Sequence, residues 1–377
     1  MAQKIINWNC RGFNMNLNEI QLLLNDYDPM AVCLQETFLK PNKTINLRKY
    51  EQFHSFSLSS NDRVIGGSTI LVKKKATYRE LKLNTNLQAV AISISAHKTF
   101  TLCSIYLPPS TNVTERELED LINQLPAPHV IVGDLNAHSH LWGCRDSNTK
   151  GKVIESILEN HNLCILNDGS PTHIDPATGS LSAIDISLCS PSLFTDFTWT
   201  VHDDLCGSNH FPTFLHIDDQ ITSDRIPQWN LNKADWSEFE RLCIAELRPE
   251  YIDHIRDDKM EIFTSVLHTI AEITIPKTSV HPKKKKKLWW NDDCQEVYDT
   301  RLKLLNKFKK YPTKENQDNY KIAYARSKRV MNESMRQSWR QYVSKLNNNT
   351  PINKAWDMVR KIMGKKQHNS VITYPSQ

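Results

Sequence analysis

An α+β architecture, two β-sheets packed as a sandwich and flanked by helices, is predicted by three features of this 377-residue sequence. Between Lys4 and about Ile217, short apolar runs of strand length follow one another, separated by turn-rich stretches. Only a few amphipathic helical patterns lie among them, which argues against a strictly alternating parallel sheet. After Ile217 the pattern becomes charged helix throughout, so a basic helical extension follows the sandwich.

The strand candidates are KIINW, AVCLQ, STILV, AVAISI, TLCSIYL, HVIVGDL, LCILN, AIDISL and FPTFLHI, each with strand length and strand composition. Among the helical patterns, Leu17 to Asn25 places Ile20, Leu23 and Leu24 on one face. A second helix starts at Thr114 with a capping box completed by Glu117, and a third, to Asn160, carries Val153, Ile154, Ile157 and Leu158. Asp218 to Ile226 is polar and unpatterned and reads as a linker. Beyond it, helices are expected over Trp236 to Leu247, Asp258 to Ile273, Asn291 to Lys310 and Lys314 to Asn347, broken at Pro276, Pro282, Pro312 and Pro351. The expected division is a sandwich domain over 1–220, a linker and helical segment over 221–280, and a basic helical extension over 281–377.

Composition narrows the function classes. An apolar share of 39% and a charged share of 24% are ordinary for a soluble protein. The strand-like start, Met1 to Cys10, lacks the features of a secretory signal, and no run approaches the roughly 20 apolar residues of a membrane span. A nuclear or cytoplasmic protein is expected, neither secreted nor membrane-bound. Nine cysteines, an odd number without a CxxC pair, fit reduced thiols, with Cys33 and Cys103 acting as small hydrophobes inside strands. The net charge of +5 conceals an asymmetry: 23 basic and 8 acidic residues follow Val280, leaving 24 basic and 34 acidic before it. An acidic body approaches nucleic acid only where a cation neutralises the phosphates, whereas the basic tail attracts polyanions directly.

Phosphodiester hydrolysis requires a cation on the non-bridging oxygens, a base for water and donors around the phosphate. The strand ends supply such groups in order: Asn9 in NWNCRG, Glu36 in LQET, Tyr106 in IYLPP, Asp134 and Asn136 in GDLNAH, Asp185 in AIDIS, and Ser208, Asn209 and His210 in GSNHFP. Each alone is an ordinary turn former. Their succession resembles the exonuclease-endonuclease-phosphatase superfamily and, more narrowly, the endonuclease domain of jockey-like non-LTR retrotransposons, over about Met1 to Ile217.

The resemblance implies a DNA endonuclease that nicks its target and leaves a 3′-hydroxyl able to prime reverse transcription. Glu36 would be the main metal ligand with Asn9 beside it, and their oxygens suit magnesium, with manganese as the other candidate ion. His210 would act as base or polarise the phosphate, oriented by Asp185. Asp134 would position or deprotonate the water, and Asn136 would donate to the same phosphate. Tyr106, Thr172 in PTHI and Ser208 would add hydroxyl donors. The sequence departs from the family at Asn209, where Ser-Asn-His replaces the usual Ser-Asp-His; the amide keeps a metal-facing oxygen but loses a negative charge. Two rival readings follow: an abasic-site repair nuclease or lipid phosphatase of the same fold, or an inactive protein that only binds nucleic acid.

Other motifs carry less. His138, His140 and Cys144 imitate a zinc cluster, but their spacing fits a loop packed under Trp142 better. Asp203 and Asp204 read as a solvated turn, and His173 to Ser182 as a hairpin of the kind that enters the DNA minor groove in relatives. Lys283 to Lys287 read as a phosphate-binding run, with a nuclear-import signal as the other reading; the WW-x-D-x-C-like segment that follows and the basic helices resemble the region joining endonuclease to reverse transcriptase in such elements, so double-stranded DNA is the expected partner of the chain and element RNA that of the extension. The chain therefore reads as the front of a longer reading frame or a truncated copy.

Overall fold

In the computed structural model, the described residues are 3–41, 45, 47, 49–57, 64–217, 229–247, 259–277 and 287–345. The linker Asp218 to Ile226, the lysines Lys283 to Lys286 and the chain after Lys345 lie outside them. The chain divides into two compact units, Met1–Asp219 with Lys286–Gln377, and Gln220–Lys285. The helices after Lys286 thus belong to the same unit as the sandwich instead of standing apart as a third segment.

The first sheet has the order β13-β14-β1-β2-β4-β3, built from β1 (Gln3–Asn9), β2 (Ala31–Gln35), β3 (Tyr50–Ser55), β4 (Ser68–Lys73), β13 (Phe197–Val201) and β14 (Thr213–Ile217). The second has the order β5-β6-β7-β8-β12-β9, from β5 (Thr77–Leu81), β6 (Gln88–Ser95), β7 (Thr99–Tyr106), β8 (His129–Asp134), β9 (Cys164–Ile165) and β12 (Asp185–Cys189). Each sheet holds one parallel pair, β1 with β2 and β7 with β8, and each pair is joined through a helix. These are α1 (Leu17–Tyr27) and α2 (Glu115–Ile122), the latter closed by the expected Thr114–Glu117 capping box. A third helix, α3 (Thr149–Asn160), packs with α2 against the second sheet.

Apolar alternation explains the layering, because residues two apart on a strand share a face. Ile5, Cys33, Ile70, Ile92, Leu102, Val130 and Val132 fill the space between the sheets. Ile6, Trp8, Val32 and Leu34 face the other way and bury Ile20, Leu23 and Leu24 of α1. Ile131, Ile105 and Ile186 meet Leu118, Leu121, Ile154 and Ile157 on the outer side of the second sheet. The result is helix, sheet, sheet, helix, the two-sheet sandwich expected. Cys33 and Cys103 are wholly buried, as their apolar runs imply, and all nine cysteines are free thiols. Among the described residues, no helix is long and apolar enough to cross a membrane.

The second unit contains α4 (Trp236–Glu246) and α5 (Lys259–Thr274), with Trp229 bridging Lys277. In the first unit, α6 (Asp292–Lys310) and α7 (Lys314–Val343) form an antiparallel pair capped by Asn291 and Thr313. The side chains that dock this pair are polar as well as apolar. Arg301, 1% exposed, reaches Glu19 of α1 at 3.2 Å and also pairs with Asp204. Asp204 is therefore a buried ion-pair partner, which corrects its reading as a solvated turn; Asp203 beside it is exposed. Lys287, the one described lysine of the basic run, pairs with Asp26 at 2.9 Å and lies over the Trp290 ring, so its charge already has a partner.

A guanidinium withdrawn from water holds two carboxylates, and removing it leaves uncompensated charge in the interior. Arg301→Ala is expected to lower unfolding stability by roughly 3–5 kcal/mol in a urea titration. A loss under about 1 kcal/mol would mean that the triad contributes no more than an exposed pair.

Candidate active site

The carboxyl ends of parallel strands are where open sheets expose catalytic groups, since the chain there leaves the hydrogen-bonded ladder. Asn9, Glu36, Tyr106 and Asp134 all occupy that position, at the ends of β1, β2, β7 and β8. Register does the rest. Tyr106 is paired with Asp134 across β7 and β8, and Asp185 with Asp134 across β8 and β12. Residues directly opposite on paired strands share a sheet face, so Asp134 and Asp185 are side by side. Close approach of β8 to β7 depends on Gly133 of the GDLNAH motif, where a β-carbon would fall 1.7 Å from the Ile105 carbonyl oxygen.

His210 joins the two carboxylates. Its Nδ1 lies 2.9 Å from Oδ2 of Asp185 and its Nε2 3.7 Å from Oδ2 of Asp134, and all three side chains are buried. Burial alone would hold the imidazole neutral, but Asp185, Asp134, the hydrogen bond to Asp185 and Glu36 together push its pKa up to about 9. Asp134 moves up to about 7, chiefly by burial and against the pull of His210. Asn9 donates from Nδ2 to Asp134 at 2.8 Å, and the backbone N–H of Asn136 donates to the other oxygen at 3.1 Å. Glu36 adds its field to both groups and accepts a hydrogen bond from the Tyr106 hydroxyl at 2.8 Å.

Two of these residues adopt left-handed backbone, Glu36 at φ 48° and Asn136 at φ 47°. Asn tolerates this region, whereas Glu there costs roughly 1–2 kcal/mol. The turn is held by the Gly12 N–H on the Glu36 carbonyl at 2.8 Å and the Thr37 N–H on the Gly67 carbonyl at 3.3 Å. Strain retained where chemistry-bearing side chains converge is a recurrent feature of active sites.

Other expected residues turn out to brace the cluster. Thr172 is fully buried, and its hydroxyl accepts from the N–H groups of Ile184 and Asp185 at 3.1 and 3.0 Å. Through those two bonds it anchors the Asp185 strand. Ser208 donates to the Asn9 carbonyl at 2.7 Å and accepts from the His210 N–H, so its proton is engaged. The Asn136 amide donates to the Leu107 carbonyl at 3.1 Å rather than to open space. Asn209, expected among metal-facing groups, donates to Nε2 of His173 at 2.8 Å and accepts from Arg11 at 3.4 Å.

His173 and Arg11 are the residues that motif reading missed. His173 opens the hairpin of β10 (His173–Ile174) and β11 (Leu181–Ser182), and its ring lies 4.5 Å from that of His210. Burial and the neighbouring His210 push its pKa down to about 4, so it stays neutral and accepts from the amide. That pairing gives a physical account of the amide at Asn209. The hairpin tip, expected to be free for DNA, is capped by Asp175 and held through its Pro176 carbonyl by Gln317 of α7. His138 and His140 form no zinc cluster: Trp142 is wholly buried beneath that loop, and Asp134, Asp185 and His210 are the one such group found among the described residues.

The two carboxylates of that group have the chemistry of a cation site, whereas the protonated ring offers no lone pair. The ligand atoms of the group lie within 4.8 Å of one another, and Oδ1 of Asp185 is buried without a hydrogen-bond partner. Hard carboxylate oxygens and an orphaned anion fit a divalent cation.

The comparison with known proteins can be set beside this geometry. Residues 100–214 match the family described as "Endonuclease-reverse transcriptase". The chain is also similar to the RNA-directed DNA polymerase from mobile element jockey of Drosophila melanogaster, 28% identical over 73% of this chain and 30% of that protein. A probable RNA-directed DNA polymerase from transposon X-element of the same species is 25% identical over 58% of this chain and 24% of that protein. The chain thus spans under a third of the length of these relatives. Among solved structures, the endonuclease domain of TRAS1, a telomere-specific non-LTR retrotransposon, aligns with 58% of this chain and 98% of its own, at 21% identity and a TM-score of 0.49.

An NMR titration of the imidazole nitrogens in metal-free protein tests the electrostatics. His210 should titrate near pH 9, and Asp185→Asn should lower that midpoint because the carboxylate that favours the cation is gone. Asn209→Asp should raise the His173 midpoint above about 4. A wild-type His210 midpoint at the ordinary value of about 6.5 would contradict the assigned charge.

Proposed function

We propose that the chain is a metal-dependent endonuclease that nicks DNA by phosphodiester hydrolysis, with magnesium as its ion. The observation that carries this reading is the buried Asp134–His210–Asp185 cluster, set beside Glu36 at the carboxyl ends of two parallel strand pairs. The match of residues 100–214 to an endonuclease-reverse transcriptase family, and the mobile-element relatives, support it.

Bound magnesium would be held by carboxylate oxygens of Glu36 and Asp185 and would neutralise phosphate charge. His210, kept protonated by its carboxylate neighbours, donates from Nε2 to a non-bridging phosphate oxygen. Asp185 fixes the ring through Nδ1 and balances its charge. Asp134, whose pKa lies near neutrality, accepts the proton of the attacking water. Water adds to phosphorus as the bond to the 3′ oxygen breaks; that oxygen takes a proton from solvent to leave as a 3′-hydroxyl, and Asp134 releases to solvent the proton it accepted. In a mobile element such an end serves as the primer for reverse transcription. Tyr106 positions Glu36, and Thr172, Ser208 and Asn209 keep the cluster's geometry.

Relaxation of supercoiled plasmid in magnesium tests this directly. Wild type should convert supercoiled to open-circular DNA, and Glu36→Ala should reduce the rate at least about 100-fold. Asn209→Asp is expected to slow it, because the carboxylate removes the donor that His173 accepts and favours positive charge on that ring beside His210. Failure of wild type to nick would sink the reading, and cleavage confined to abasic plasmid would replace it with repair.

A further inference from the structure

A phosphodiester that approaches Glu36, Asp134 and Asp185 meets a repulsion that one protonated imidazole offsets only in part. A fixed cation at the rim would hold the substrate against it. Arg11 supplies that charge. It lies two residues after Asn9 and is exposed, and its backbone N–H donates to Oδ1 of Asn9 at 3.1 Å, while the other end of that amide donates to Asp134. One chain of bonds thus ties the Arg11 backbone to the cluster.

The loop is set before any ligand arrives. Arg11 adopts left-handed backbone at φ 47°, which a residue with a β-carbon resists, and bonds on either side hold it there. The N–H groups of Cys10 and Phe13 donate to the Gln35 and Thr37 carbonyls at 3.1 and 3.0 Å, and Nζ of Lys328 in α7 donates to the Met15 carbonyl at 3.0 Å.

The guanidinium itself has little to occupy it. Among the described residues its one side-chain partner is Oδ1 of Asn209, at 3.4 Å, and no carboxylate pairs with it. The other end of the Asn209 amide donates to Nε2 of His173 at 2.8 Å, which fixes the oxygen towards Arg11. A carboxylate at position 209 would neutralise the guanidinium; an amide leaves its charge whole. Arg11 and Asn209 line a cleft of about 300 Å³ beside the cluster, and Lys321 of α7, also exposed, lines the same cleft. Two cations next to an acidic hydrolytic centre complement a polyanion that runs past it, and the planar fork of arginine matches the paired oxygens of a phosphate.

We infer that Arg11, with Lys321 beside it, anchors a backbone phosphate of the substrate strand flanking the one that is cut, and that the amide at position 209 keeps Arg11 free to do so. The inference rests on the nuclease reading for which phosphate is cut. The departure from Ser-Asp-His then exchanges a negative charge in the centre for an unpaired positive one at its edge, so ground-state binding gains where the centre loses charge.

The test is anisotropy binding of the whole chain to a fluorescein-labelled duplex without divalent metal, over salt from about 50 to about 200 mM. Arg11→Gln should weaken binding about tenfold and lower the slope of log affinity against log salt by about 0.9, the change for one lost phosphate contact. Lys321→Gln should lower the slope in the same direction. Arg11→Lys keeps the charge and should keep the slope. In magnesium, Arg11→Gln should raise KM for plasmid nicking about tenfold with kcat nearly unchanged, because a flanking phosphate is held alike before and during bond breaking. A wild-type slope in Arg11→Gln, an equal loss of slope in Arg11→Lys, or a fall in kcat at constant KM would overturn the inference. The slope is read without cleavage: lost in Arg11→Gln of a chain that fails to nick, it supports the phosphate contact while the nuclease reading falls, and unchanged in a chain that nicks, it removes the anchor alone.

Discussion

The centre of this molecule depends on the imidazole of His210 lying between two buried carboxylates. Asp134 and Asp185 are brought alongside each other by the register of β8 and β12, an arrangement that repulsion would oppose in a dry interior. A protonated ring within 2.9 Å of one and 3.7 Å of the other offsets that repulsion. The surrounding bonds serve this pairing. Asn9 and the Asn136 N–H take the free lone pairs of Asp134, and Thr172 holds the strand on which Asp185 sits.

Much of the site could be read from the chain because its residues end apolar runs. NWN, QET, IYLPP and GDLNAH each mark a strand termination, and strand terminations on one edge of a sandwich must meet. What could not be read was the partner of each polar group. The structural work of Thr172 and Ser208 appears only when the lone pairs of the one and the proton of the other are followed to backbone atoms 12, 13 and 199 positions away. His173 was invisible as a site residue for the same reason: its ring matters through Asn209, 36 positions on. Asp204 looked solvated because its counter-charge, Arg301, lies 97 residues downstream.

The helices after Lys286 alter how the front of the chain should be regarded. Their basic composition suggested a separate polyanion-binding tail. In the fold, Arg301 faces inward to Glu19 and Asp204, Lys309 lies over the Phe211 ring at 4.1 Å, and Gln317 holds the hairpin. Some of the positive charge therefore supports the sandwich directly. The exposed residues Lys303, Lys307, Lys321, Arg326 and Arg329 leave the outer face of the pair basic for long-range attraction.

The buried guanidinium also sets an order of events during synthesis. Glu19 and Asp204 leave the ribosome well before Arg301, the first of them 282 residues ahead of it. Until translation reaches α6, two acidic groups destined for the interior have no counter-ion there, and the loop leading to His210 lacks its anchor. Vectorial translation thus leaves the loop before His210 to be anchored by a residue made only after the whole sandwich.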